Sequence, residues 1–289
     1  MTRERCAEGC ARRGDSLGAS APPVSHWLLI EHQGPWGTDA LFDSALPPEV
    51  VEAVVAQAAV FSARVLLIRR PGRAVPGPRR WAFVDSRPGR EGSWWSSYDD
   101  PAELADLGLT TRKGTYSTEP IYLVCTHGRH DACCAIRGRP VAAALSIARP
   151  GATWECSHVG GDRFAANLLA LPHGFYFGQV SASDAPGTAA DYAAGLLDLP
   201  RLRGRSAFAA PVQAAQQFAR ELLGERGVDS LAPRAVQRIE RELWKVDLQA
   251  ADSLLSVQVR ARFHRSDSPL TCSADVPAAI RHFELVVID

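Results

Sequence analysis

No apolar run in the 289 residues approaches the roughly 18 needed to cross a bilayer, and the N-terminal MTRERCAEGCARRGDSLGASAPP carries charge without the apolar centre of a secretory signal. Both absences point to a cytoplasmic protein with no membrane insertion. An excess of one charge is also missing. Lys plus Arg and Asp plus Glu stand at 32 each, so the electrostatic footprint of a nucleic-acid binder or a polybasic membrane module is absent. There is no G-x-G-x-x-G fingerprint and no flavin motif, so neither signature of a dinucleotide or flavin enzyme is present. Without a Cys-x-x-Cys, a thiol-disulfide oxidoreductase is the weaker enzyme reading, and the repeated Cys-x-x-Cys of strong zinc sites is absent too. Glu and Asp are scattered with no sign that two of them pair as in a glycosidase.

What is present is a core-forming composition, 46% hydrophobic against 22% charged, which argues against disorder and, at this length, for one large or two modest domains. Seven cysteines fall at 6, 10, 125, 133, 134, 156 and 272. An odd, unevenly spaced set is unlike the disulfide framework of a small secreted domain, and metal or redox chemistry explains it better.

The order of elements reads as α/β. HWLLIEHQGPW gives a strand and a Gly-Pro loop, ALPPEVVEAVVAQAAVFSA a helix, RVLLIRR a second strand, residues 71–80 a Pro/Gly/Arg loop and WAFVDS a third strand. Residues 89–115 read as irregular, with helix near PAELADLG. The same grammar restarts with the strand EPIYLVCTHG, the helix RPVAAALSIA and the strand ATWECSH. GGDRFAANLLAL, a PHG turn and the strand FYFGQV follow. WLLIEHQG set beside IYLVCTHG suggests two related units, with chance similarity an equal alternative. Helices at TAADYAAGLLD and PVQAAQQFARELLGERG and strands at WKVDLQ, LLSVQVRARF and HFELVVID close the chain. The expected division is 1–115, 116–185 and 186–289.

Cys125 should sit where a strand opens into a loop, a usual place for α/β sites. Eight residues separate it from Cys134, enough chain to curl two thiolates toward one ion or cluster. His158 ends another expected strand, and Gly160 and Gly161 after it would let backbone approach a bound group. His127 and His130 are candidate ligands or hydrogen-bond helpers, with solvated loop positions the plainer reading. Cys6 and Cys10 fall in a tail read as mobile and Cys272 in a turn, all three as ordinary thiols.

VCTHGRHDACCAIRGRP followed by ECSHVGGDRFAANLLALPHGFYFGQV resembles the sucrase/ferredoxin-like family, most strongly over residues 120–180. The resemblance implies a thioredoxin-like fold, here two related α/β units with a C-terminal helix and strand extension. It also implies a 2Fe-2S cluster held by a Cys-x8-Cys pair and a His-x3-His pair, hence an electron carrier with a redox partner protein rather than an enzyme. Cys125 and Cys134 match the thiolates and His158 the first histidine. The second histidine is replaced by Asp162. Three readings of the fourth ligand stand open: Asp162, Cys156 on the same strand face as His158, and Cys133. Asp162 has a competing role as a helix N-cap ahead of RFAANLLAL. A zinc-binding structural module on Cys125, Cys134, Cys156 and His158 is the rival from another class.

Overall fold

The computed structural model describes residues 4–72, 76–251 and 253–289, so the centre of the Pro/Gly/Arg loop at 71–80 lies outside the described residues. Apolar alternation first builds β1 (His26–Glu31), α2 (Pro48–Val60), which follows α1 (Cys6–Arg13), and β2 (Arg64–Arg69), with β1 and β2 parallel. β3 (Arg79–Asp85) and β4 (Gly92–Tyr98) then add antiparallel beside β1, and β5 (Thr115–Ser117) forms the edge. The second run repeats the pattern. β6 (Ile121–Cys125), α3 (Ala132–Ala148) and β7 (Thr153–Cys156) form a parallel unit, and β8 (Leu168–Leu171) and β9 (Phe175–Phe177) add antiparallel beside β6.

The two runs meet where β2 pairs antiparallel with β7, at Ile68↔Cys156 and Arg69↔Glu155. After α4 (Ala185–Ala193), β10 (Leu202–Arg205) completes one curled sheet of ten strands, in the order β10-β9-β8-β6-β7-β2-β1-β3-β4-β5. The fold is mixed α/β, as the sequence suggested. A cleft of about 820 Å³ opens where β6 and β7 begin, lined by Trp95, Tyr122, Arg149 and Trp154 among others.

Strands β1 and β6 are buried on both faces. Trp27, Leu29, Ile121, Leu123 and Cys125 share one core with Tyr176. On the other face Leu28 and Ile30 pack with α2, and Tyr122 and Val124 pack with α3 and α4. Each large apolar side chain removed from water there contributes about 1.5–3 kcal/mol. The C-terminal segment forms a second, antiparallel sheet of β11 (Ala232–Glu240), β12 (Leu243–Ala250), β13 (Ser253–Arg265) and β14 (Ala279–Ile288). Helix α5 (Ala210–Leu223) seals it, with Ala215 and Ala219 against Val246, Leu248, Val257 and Val259.

Three local expectations are corrected. β4 occupies a stretch read as irregular, because Trp94 and Trp95 pair with Phe83 and Ala82 of β3. The tail around Cys6 and Cys10 is helix α1, buried at Cys6, Ala7, Gly9 and Cys10 and ended by Gly14 in the left-handed conformation (φ +65°). Helix α3 begins at Ala132, seven residues before RPVAAALSIA.

Candidate metal centre

Cys125 closes β6, a strand without water on either face, where a thiol is the ligand type compatible with complete burial. Asp131 caps α3, its carboxylate accepting from the Cys133 N–H at 2.8 Å. That cap puts Cys134 in the first helical turn rather than in a loop, where the helix dipole favours a thiolate. Gly138, one turn on, lets α3 close on β6: a Cβ there would lie 2.1 Å from the Cys125 carbonyl oxygen.

His158 stands two residues beyond β7 and is held through its backbone. Arg64 donates to the carbonyls of His158 (2.8 Å) and Val159 (3.0 Å). The His127 Nδ1 accepts from the His158 N–H at 3.3 Å while its Nε2 lies 2.7 Å from the Gly37 carbonyl, an arrangement that assigns the proton to Nε2. His127 is therefore a buried strut, not a solvated loop residue. Nor do the glycines free space for a bound group. A Cβ at Gly161 would meet the Arg203 guanidinium at 2.4 Å and one at Gly160 would meet Pro22 at 2.9 Å. Buried Arg203 takes that room, donating to Gly160 O (2.9 Å), Asn167 Oδ1 (2.7 Å) and Ser20 O (2.7 Å).

The helix-cap reading of Asp162 fails. Residues 162–164 form a single 3-10 turn whose cap position is Gly161, and strand β8, not a helix, follows. The Asp162 carboxylate turns instead toward the thiols and histidines. Its Oδ1 is 2.9 Å from His158 Nδ1 and 3.4 Å from Cys134 Sγ, and its Oδ2 is 3.8 Å from His130 Nε2.

The donor atoms of Cys125, Cys134 and His158 lie within 4.8 Å of one another, as do those of His130, His158 and Asp162. His158 Nδ1 is buried and, despite its closeness to Asp162, makes no aligned hydrogen bond. The two groups nevertheless form a close charge pair, in which Asp162 favours the imidazolium of His158. The donor set of thiols, imidazole and carboxylate fits a metal or a small iron-sulfur group. The His130 ring stacks on His158 at 3.7 Å, and side-chain exposures of 36% and 21% make this pair the solvent-facing edge.

Charge is distributed unevenly among these groups. The hydrogen bond from Cys134 and then His158 hold the Cys125 thiol well below the usual range, against burial. The same bond and burial push Cys134 up. Burial opposes the imidazolium of His158, yet Asp162 and Cys125 raise its pKa to about 9.

Cys156 lies opposite Cys125 in the β6–β7 register and shares its apolar core, but its sulfur is not in the group within 4.8 Å, and burial, followed by the neighbouring Cys125, pushes its thiol up. Cys133 points the other way, into a second group with Cys6, Cys272 and Asp131. The sequence does not reveal that group, since its members come from three distant segments. The i, i+4 spacing of Cys6 and Cys10 ahead of a glycine signals a short helix in place of a mobile tail, but not the group itself. Cys10 is buried apart, its sulfur accepting from Gln179 at 3.6 Å.

No curated protein and no solved structure matches the chain. Residues 17–193, more than half of the chain and including Cys125, Cys134, His158 and Asp162, match the sucrase/ferredoxin-like family, and the chain belongs to that family.

Proposed function

We propose that Cys125, Cys134, His158 and Asp162 hold a 2Fe-2S cluster and that the protein is a one-electron carrier, a thioredoxin-like ferredoxin of the cytoplasm. The observation that carries this reading is the convergence of two buried cysteines and His158 within 4.8 Å, with Asp162 turned to the same histidine, in a chain of the sucrase/ferredoxin-like family. Bound there, the cluster would supply reversible one-electron transfer. The chain's own residues set its surroundings. Thiolates are soft donors suited to such iron, neutral imidazole in place of a thiolate raises the potential relative to an all-Cys site, and ionised Asp162 pulls it back. His130 and His158 bring the edge of the site to solvent, where a redox partner protein would dock.

Protein purified without oxygen is expected to be red-brown, to contain about two irons and two acid-labile sulfides per chain, and to bleach with dithionite. A preparation that stays colourless after reconstitution with iron and sulfide would falsify the proposal. A zinc-binding module is the second reading, resting on Cys125, Cys134 and His158 but without Cys156, the fourth ligand expected from the sequence, whose sulfur lies outside the group. Zinc without sulfide at these residues would establish it.

A further inference from the structure

We propose that Cys6, Cys133, Cys272 and Asp131 form a second metal site, separate from the first, that binds one zinc ion and clamps the two ends of the chain to helix α3. Cys6 is the first residue of α1, Asp131 and Cys133 are the cap and second residue of α3, and Cys272 lies in the turn between β13 and β14. Cys6 and Cys272 lie outside residues 17–193, the part that matches the family.

The three sulfurs form a chain of close contacts. Cys272 Sγ is 3.5 Å from Cys133 Sγ and 3.5 Å from Cys6 Sγ, and the four donor atoms all lie within 4.8 Å of one another. Zinc-thiolate bonds of about 2.3 Å set tetrahedral sulfur-sulfur edges of about 3.8 Å, so these thiols already stand near the required spacing. A disulfide could join two of the sulfurs and would leave the third beside it without a partner.

Asp131 supplies an independent reason for a cation. Its carboxylate is buried, and among the described residues no Lys, Arg or His side chain pairs with it. Oδ1 accepts from Cys133 N at 2.8 Å and Oδ2 from Cys272 N at 2.6 Å, and the oxygens lie 3.5 and 3.7 Å from Cys6 Sγ. Two backbone donors soften the cost of a buried carboxylate but do not neutralise it. Zinc would give that carboxylate a directly bonded counter-ion, with Asp131 closing the fourth position while it holds two of the three cysteines by their backbones. The thiol protons leave to solvent as the metal binds. The N-terminal ends of α1 and α3 both face the group and offset the surplus negative charge.

The test is metal analysis of the full-length protein, purified under reducing conditions with zinc supplied and then desalted. Wild type should hold about one zinc per chain more than Cys6→Ser and Cys272→Ser, while the visible spectrum and metal of the Cys125 site stay unchanged in both variants. Cys10→Ser, a buried thiol on the same helix but outside the group, should keep the wild-type zinc. Cys272→His, which keeps a zinc donor, should recover zinc that Cys272→Ser has lost, so a folding defect alone would not reproduce the pattern. The zinc difference is read whether or not the first site carries iron, and so stands or falls apart from the proposed function. Equal zinc in wild type and both serine variants would overturn the proposal. So would a chain mass two hydrogens light with one reactive thiol among the three, which would make the group a disulfide switch.

Discussion

Asp162 is the residue on which the electron-transfer reading turns. Asp162→Asn keeps the shape of the side chain and removes the charge a metal would want. The substitution is expected to shift the visible spectrum and speed cluster loss several-fold, and Asp162→His to restore binding at a higher potential. Cys156→Ser is expected to leave the iron count at the wild-type level, because that sulfur lies apart from the grouped donors. Iron loss in Cys156→Ser with an unchanged Asp162→Asn would transfer the fourth position to Cys156. His32 makes a different, pH-linked forecast. It is buried with neither ring nitrogen hydrogen-bonded, and burial followed by Arg79 lowers its pKa below the usual 6.5. The unfolded chain therefore takes up the proton first as pH falls. Stability is present above about pH 6.5 and is lost on acidification, by up to about 1.4 kcal/mol per pH unit for each linked proton. Thermal melts of His32→Leu between pH 7 and 5 should show a flatter decline than wild type; an identical slope would remove His32 from the acid response. The convergence of Cys125, Cys134 and His158 was legible from spacing and resemblance, which named all three. Asp131 was not, because nothing in a sequence tells a solvated loop aspartate from one that caps a helix, accepts from the backbones of Cys133 and Cys272 and contacts the Cys6 thiol.

Helix α3 is the element that positions both candidate centres, since neighbouring residues in its first turn, Cys133 and Cys134, point to different groups. In an ordinary helix interior Gly→Ala gains about 1 kcal/mol from propensity. At Gly138 the sign should reverse, because the added carbon would meet a backbone oxygen that has little freedom to move. Gly138→Ala is expected to cost about 2 kcal/mol, within the usual range for overpacking, and to weaken metal retention at Cys125 and Cys134. Urea denaturation with iron counting checks both, and a stabilised variant would show that α3 does not close on β6 this tightly. The same glycine, with Pro140, explains why the start of α3 was misread. Gly138 and Pro140 look like breakers, whereas here the glycine serves a close approach and the proline falls inside the helix. β1, α2, β2 and β6 were legible because their apolar runs are strong. β8 was not, because FAANLLAL carries helical spacing and becomes a strand by pairing with β6 and β9.

At the scale of the molecule, the repeated strand-helix-strand grammar corresponds to two runs with the same local orders, β2-β1-β3-β4 and β7-β6-β8-β9. The segment comparison pairs Glu31 with Cys125. Glu31 accepts from Arg80 N at 3.0 Å and from Gln33 at 2.9 Å, so the first run keeps the scaffold with a carboxylate where the second has its thiol. Joining through antiparallel β2 and β7 turns the parallel pairs of the two runs head to tail. The sequence does not reveal this, because the β2–β7 pairing joins residues nearly ninety positions apart that no local pattern links.

That head-to-tail joint gives the protein two unlike poles. The cysteines stand where β6 and β7 end and the large cleft where they begin, and a five-residue strand puts about 15 Å between them. Under the electron-carrier proposal, exchange with a redox partner should be one-sided. A bulky adduct on Ser97→Cys, at the cleft pole, should leave the electron-exchange rate unchanged. The same adduct on Arg129→Cys, beside His130, should slow exchange at least ten-fold, as a cap on a battery's single live terminal would.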